Sequence, residues 1–549
     1  MDGEARSPRS GFGADPTGPA VAVAPPGPPS APGGFRGMRG PGGRNLTEGP
    51  ITSTLIMFSL PMLGGNILQQ LNATANQFWV AHMLGATDIT AIGNANSIMM
   101  LMMGAIFGAT MAANILIAQQ VGAGDLVLVK RIMGTAVFFC LVISITLSLT
   151  GGIFAPHILA AMRTPPAARA EAIVYLRVVF AAMPFMYFFQ FLQMAQRGAG
   201  DSRTPFYFMG LAVVLDIILN PLLIAGAGPT IGGWGPFPKI PFPIHIPGMG
   251  VAGSAASTFI AQGVSLVLLL VTLYRRHSVL MLKGRELRYL IPSMEILRPL
   301  VFRGIPMSLQ MFIMSAAGMI MITFVNGFGA VTSAAYVGAL QVWNYIQMPG
   351  MAVGASVSSM AGQNVGAGQW ARIERIAVSG LCLSVAVTGS IAVIIYLLGP
   401  LPLYIFLPAT TPTGAVSPTI PLALHIDRTV LWAFVIFNAT FALSGIVRST
   451  GAVWPPLIIL TVSMLVIRVP FAFFMIPRFG MDAIWWSFPL GTITSSVLTA
   501  LYYRYGNWRK VRMLHHAPPG PDAADSAQAP PAVEAAGPDP GVGDEVLAS

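Results

Sequence analysis

Twelve apolar stretches, each near 20 residues long, dominate this chain. They fall near 53–78, 92–118, 132–153, 172–196, 205–226 and 250–274, then near 299–326, 334–361, 375–398, 428–447, 455–477 and 483–504. A helix needs about 20 residues to cross a hydrocarbon layer of about 30 Å. Inside that layer backbone N–H and C=O groups have no water to bond, and segments of this length satisfy them only as helices. Charged residues make up 9% of the sequence and hydrophobic ones 54%, so the bilayer is the expected solvent.

The apolar pattern is written twice. Residues 51–118 and 299–361 repeat at an offset of roughly 245, the mark of an internal duplication. Pro61-Met62 answers Pro306-Met307, and Gln119-Gln120-Val121-Gly122-Ala123-Gly124 answers Gln363-Asn364-Val365-Gly366-Ala367-Gly368. Arg197, Gly200 and Pro205 return as Arg448, Gly451 and Pro456. Duplicated membrane halves enclose a path between them, and rocking of one on the other gives alternating access. The predicted fold class is an all-α polytopic membrane protein, with twelve transmembrane helices in two pseudo-symmetric six-helix lobes around a central cavity.

Charge orients the chain. With twelve spans, Lys130, Arg131, Arg197, Arg203, Arg275, Arg276, Arg372, Arg375, Arg448, Arg504 and Arg509 all fall on one side, and Arg163, Arg169, Lys239, Arg428 and Arg478 on the other. Basic residues collect in cytoplasmic loops, so both termini are expected in the cytoplasm and the protein in a bacterial inner membrane. Residues 1–49 and 509–549, rich in Pro, Gly and Ala, read as disordered tails. Between them lie an N-lobe (50–274), a basic cytoplasmic connector (275–298) and a C-lobe (299–508). Two long loops, 227–249 and 399–427, are expected on the opposite side. The net charge of +10 sits at helix ends and in the connector, which points to anionic lipid and away from nucleic acid. Cys140 and Cys382 lie mid-span at equivalent positions, with no metal-type spacing; no metal and no cofactor are expected.

Ionisable groups inside a membrane are costly and mark function by default. Asp216, in Val214-Leu215-Asp216-Ile217-Ile218-Leu219-Asn220-Pro221, is the one carboxylate that the sequence places at depth, and Asn220 follows one helical turn later. Such a carboxylate can carry a proton, join amide oxygens around a hard monovalent cation, or only brace its neighbours. Asn66, Gln69, Gln70 and Asn76 form a polar stripe on the first span. Gln190 and Gln193 on the fourth, and Gln341 and Asn344 on the eighth, are further cavity-lining candidates; Asn94, Asn96, Asn114, Gln310 and Gln347 are similar amides, some of them serving as glue between helices. Arg177 and Arg468 are expected to snorkel or to pair. Pro61 removes a helical hydrogen bond before the stripe, so it is a hinge candidate.

Leu-Thr-Glu-Gly-Pro-Ile at 46–51, Met-Leu-Gly at 83–85, Gln-Val-Gly-Ala-Gly-Asp at 120–125, Tyr-Leu-Arg at 175–177, Gln-Arg-Gly-Ala-Gly-Asp-Ser-Arg-Thr-Pro at 196–205 and Arg-Val-Pro at 468–470 together resemble the multidrug and toxic compound extrusion (MATE) family, over about residues 47–508. The resemblance implies a secondary antiporter, not an enzyme, that exports organic and amphipathic cationic compounds in exchange for H+ or Na+. Its partners would be small molecules and the bilayer, with no oligomer required. The family's first-helix Asp is Asn76 here. Its Asn-then-Asp order in the fifth helix is inverted to Asp216 then Asn220, and the seventh-helix Glu of some members has no counterpart. Cation coupling is thereby expected at Asp216, with Asn76 and Asn220 beside it. A lipid or lipid-linked oligosaccharide flippase of the same two-lobe plan is the alternative.

Overall fold

A computed structural model describes residues 45–511 and 513, apart from 84–85, 162–165, 227–229, 232–239, 242–247 and 408–416. Both terminal tails lie almost wholly outside the described residues, as does much of the two long loops. Twelve long helices carry the fold of the described residues. The first lobe holds α1 (Ile51–Met83), α2 (Ala86–Ala123), α3 (Leu126–Ala161), α4 (Pro166–Gly198), α5 (Arg203–Ala225) and α6 (Val251–Arg275). The second holds α7 (Met294–Asn326), α8 (Ala330–Gly366), α9 (Trp370–Leu398), α10 (Thr419–Ser449), α11 (Trp454–Phe479) and α12 (Asp482–Tyr505). A 3-10 segment, Gly284–Leu290, lies in the connector. A two-residue antiparallel ladder pairs β1 (Thr230–Ile231) with β2 (Ile240–Pro241) between α5 and α6.

Ten of these helices are long and apolar enough by themselves to cross a membrane. The two others, α8 and α12, are comparably long but hide their polarity. Ser356, Ser358, Ser359, Gln363 and Asn364 of α8 are buried, as are Ser487, Thr492, Ser495 and Thr499 of α12. Small polar side chains let helix backbones approach closely, which suits helices at the middle of a bundle. In the first lobe α4 packs on α2, α3 and α6, and α5 on α1 and α6; in the second α10 packs on α8, α9 and α12.

Repeated motifs make repeated local structure. Gly124 (φ 81°) and Gly200 (φ 90°) end α2 and α4 in the left-handed region that glycine adopts most readily. The aspartate that follows each one caps the next helix: Asp125 Oδ1 accepts from Leu128 N at 2.9 Å, and Asp201 Oδ1 from Thr204 N at 3.0 Å. In the second half Gly368 and Gly451 keep the positive φ, whereas Gln369 and Ala452 stand where the capping acids were.

The lobes meet at their basic ends through contacts that obey the duplication. A Cβ on Gly122 would lie 1.8 Å from the carbonyl oxygen of Gln363, and one on Gly366 1.7 Å from that of Gln119. Gln119 Nε2 donates to Ser449 O at 2.6 Å, and Gln363 Nε2 to Gly198 O at 2.9 Å. Each lobe's glutamine thus reaches the end of the other lobe's fourth helix. Towards mid-depth Ser308 Oγ donates to Ala105 O at 2.8 Å and Asn66 Nδ2 to Met348 O at 3.3 Å. Among the described residues, interlobe hydrogen bonds run from the basic end to this depth.

Three expectations change. The tenth helix, expected over 428–447, begins at Thr419. Pro418 is the N-cap of this helix and Pro421 stands in its first turn, where proline costs no hydrogen bond. Asp427 therefore lies inside the helix and is 4% exposed, so Asp216 is not alone at depth. Arg468 neither snorkels nor pairs: it is 7% exposed, its guanidinium carbon lies 3.4 Å from the Phe488 ring centroid, and among the described residues no carboxylate meets it. Arg468 closes a π-helical stretch, Val462–Arg468, within α11. Arg177 is exposed, which suits snorkelling. The helix α1 runs unbroken through Pro61.

Candidate functional site

Asp216 and Asn220 stand one turn apart on α5, 2% and 0% exposed. Four-residue spacing puts them on one helix face, and α1 and α6 cover that face. From α1, Asn72 Nδ2 donates to Asp216 Oδ2 at 2.9 Å and Asn76 Nδ2 to the same oxygen at 3.2 Å. From α6, Ser257 Oγ donates to Oδ1 at 2.7 Å, and Thr258 Oγ1 lies 3.2 Å from both oxygens. Asn220 does not touch the carboxylate; its Nδ2 donates to Asn76 Oδ1, completing a chain from Asn220 through Asn76 to Asp216.

Four side chains therefore converge on one carboxylate, two from each of the neighbouring helices α1 and α6. No Lys, Arg or His pairs with it among the described residues. The Oδ1 atoms of Asn72 and Asn220 are buried without a donor, and both amide atoms of Gln193 lack partners. Buried polar atoms are normally satisfied, so this cluster holds unused oxygen capacity beside a carboxyl group that no basic side chain among the described residues pairs with.

A cavity of about 70 Å³ opens on the cluster, with Gln69, Asn72, Gln190, Gln193, Asp216 and Gln262 as its polar lining and Met103, Met186 and Met209 among its apolar walls. A water needs about 10–15 Å³ by this measure, so the space suits a small ion with a few waters. Organic ligands fill pockets of about 300–1,000 Å³. This cavity is too small for a ligand of that size.

The structure brings together Asp216, Asn76, Asn220, Gln69, Gln190 and Gln193. It leaves out Asn66, whose amide bonds across the lobes to Met348. Gln70, Gln341 and Asn344 are half-buried and do not line this cavity. Asn114 is buried with its amide 3.9 Å from Met194 Sδ. The side chains of Asn94 and Asn96 lie outside the described residues. Sequence reasoning missed Asn72, although it stands one turn before Asn76 on the same stripe. It also missed Ser257, Thr258 and Gln262, since hydroxyl and amide residues are ordinary in membrane helices. In the second lobe Trp343 Nε1 donates to Asp427 Oδ1 at 2.8 Å, inside an aromatic group of Tyr336, Trp343, Trp485 and Phe488.

The MatE family model matches residues 61–222 and again 306–474. The chain belongs to the MatE family. The two matches begin 245 residues apart (306 − 61), which is the offset of the internal repeat. As a MatE protein it is similar to the probable multidrug resistance protein YoeA of Bacillus subtilis (strain 168), with 29% identity over 459 residues that cover 83% of this chain and 94% of the relative. It is 26% identical to the probable multidrug resistance protein NorM of Thermotoga maritima, over 84% of this chain and 94% of that one. A solved structure described as the outward-facing conformation of a multidrug resistance MATE family transporter of the MOP superfamily superposes with a TM-score of 0.74 at 21% identity, covering 84% of this chain and 96% of that chain. The fold of this MatE protein is thus the two-lobe, twelve-helix transporter fold, and the protein is a multi-pass membrane transporter.

Proposed function

We propose that this protein exports organic, amphipathic cations by alternating access, driven by entry of one H+ or Na+ that binds at Asp216. The observation that carries the reading is a buried carboxylate with donors from two neighbouring helices, no basic side chain paired with it among the described residues, and a cavity of ion size beside it. A monovalent cation supplies the missing positive charge, and the free Oδ1 atoms of Asn72 and Asn220 are its further ligands. Because α1, α5 and α6 all contribute, filling or emptying the site changes the packing of α1, the helix that also touches the second lobe. Pro61 on α1 is the hinge candidate in this scheme, bending to change how the stripe faces the cavity. Multidrug names among the relatives, YoeA and NorM, support the choice of substrate class. With the basic side cytoplasmic, the interlobe contacts close the cytoplasmic end, and the cavity opens outward. The flippase alternative calls for several cations at depth; of the two that the sequence offered, Arg177 is exposed and Arg468 stacks on Phe488 in the second lobe, and neither lines the Asp216 cavity.

The test is ethidium transport in proteoliposomes under an imposed pH or Na+ gradient. The wild type exports under one gradient, and Asp216→Asn, inserted at the same level, does not. Export by Asp216→Asn at the wild-type rate overturns the assignment.

A further inference from the structure

The connector folds into a basic concave surface that the transport reading leaves unused. A cavity of about 340 Å³ lies where the start of α3 meets the segment after α6. Lys130, His277, Lys283 and Glu286 line one part of it, and Val127, Val279 and Met281 the other. Glu286 is already engaged: Lys130 Nζ donates to its carboxylate, the Lys283 N–H donates to it at 3.1 Å, and the lysine's hydrogen bond holds the Glu286 carboxyl below its ordinary value. Lys130 is spent in that pair. Among the described residues Lys283 forms no ion pair with a carboxylate, although its charge also acts on Glu286, and its ammonium meets His277 Nδ1.

That contact is unusual. Lysine has three donors and no acceptor, so in this contact His277 Nδ1 accepts, which leaves the ring Nε2–H and the other ammonium hydrogens free to donate. His277 is also the one non-glycine residue with positive φ (50°) among the described residues. It takes the left-handed position after α6, where helices ordinarily place Gly or Asn. Its N–H bonds back to Tyr274 O at 3.2 Å and the next N–H to Leu273 O at 3.0 Å. The backbone thus turns an imidazole towards an ammonium, a pairing of two groups that both suit an anion.

The surroundings choose the anion's source. Leu287, Ile291 and Met294 are 51%, 76% and 75% exposed, interspersed with Lys283, Arg285 and Arg288 along the connector. Exposed apolar side chains interleaved with basic ones are the pattern of a segment lying in the membrane interface. Basic pockets between transmembrane helices at that level bind phosphate-bearing headgroups. We infer that His277 and Lys283 form a binding site for the phosphate of an anionic phospholipid, with the glycerol and upper acyl chain against Val127, Val279 and Met281. A lipid held there would bridge α3 to the connector that joins the two lobes.

The experiment uses the full chain in nanodiscs of phosphatidylcholine alone or mixed with phosphatidylglycerol, with retained lipid counted by native mass spectrometry. Wild type is compared with His277→Gln/Lys283→Gln and with Arg478→Gln, an exposed basic residue at the opposite end. Wild type and Arg478→Gln retain phosphatidylglycerol over phosphatidylcholine. The double variant, with an unchanged melting temperature in phosphatidylcholine, loses that retention about fivefold or more, as removal of one membrane-facing charge implies. Equal retention by wild type and double variant overturns the site. Displacement of the lipid by inorganic phosphate, or no preference for phosphatidylglycerol, overturns the lipid assignment. None of these readouts involves ethidium export, so failure here and failure at Asp216 are separate results.

Discussion

Asn66 and Asn72 lie on the same helix, six residues apart, and do opposite jobs. Asn66 reaches a carbonyl on the other lobe, a bond of a kind worth about 0.6 kcal/mol in membranes. Asn72 donates to a buried carboxylate, and hydrogen bonds to charged groups contribute about 1.5–3 kcal/mol. Asn72→Ala is therefore expected to weaken the dependence of ethidium export on the driving ion by about tenfold or more, and Asn66→Ala by about threefold or less, read from export rate against ion concentration. Equal effects would mean that the Asp216 cluster is not tuned by its donors. In the second lobe, Trp343→Phe strands the Asp427 carboxylate and should cost about 1–3 kcal/mol. Asp427→Asn keeps an acceptor for the indole and should cost less; melting in detergent ranks the two, and the reverse order would refute the role given to that bond. Asp216 was legible in the sequence because an acid inside an apolar run is costly to insert and so rarely stands there without a task. Ser257 and Thr258 were not, because a hydroxyl that bonds its own helix and one that bonds a carboxylate look alike in sequence.

At the scale of elements, the duplication sets a two-fold contact whose tolerance is narrow. Gly122 and Gly366 each lie under a backbone carbonyl of the opposite motif, so a methyl group at either position cannot fit without moving a whole helix. Gly122→Ala or Gly366→Ala should separate the lobes at the basic end. Spin labels at Val127 and Gln369, read by pulsed electron resonance, should report a longer and broader distance than wild type. Gly152→Ala, where an added Cβ meets nothing within 4 Å, should leave it unchanged. An unaltered distribution in all three variants would show that the lobes do not close through these glycines. The motif repeat was plain in the sequence, but its meaning was not. Gln119 and Gln363 could have served any helix end; only the crossing of α2 and α8 makes each the donor to the other lobe. The extended start of α10 was missed for a related reason: proline signals a turn in the chain and an N-terminus in a helix, and neighbours decide between them.

At the scale of the whole molecule the lobes touch at the basic end and the cavity beside the buried acid is ion-sized; under the proposed mechanism the path of the driving ion is thereby separate from that of a large substrate. In a Cys382→Ser background, Gln69→Cys should react with a membrane-impermeant maleimide added on the side away from the basic loops, and Ser359→Cys, buried at the closed end, should not. Reaction of Ser359→Cys from that side would contradict the closed basic end. By itself the sequence determined the solvent, the number of spans, the duplication and the one acid most worth testing. These follow from hydropathy, charge and repetition, which are properties of residues in order along the chain. The tertiary structure decided which amides meet Asp216, which oxygens stay unbonded, that Asp427 and Arg468 are buried, and where the halves touch. Those depend on the crossing of helices distant in sequence, where a shift of one residue turns a side chain about 100° around its axis and exchanges a ligand for a lipid contact.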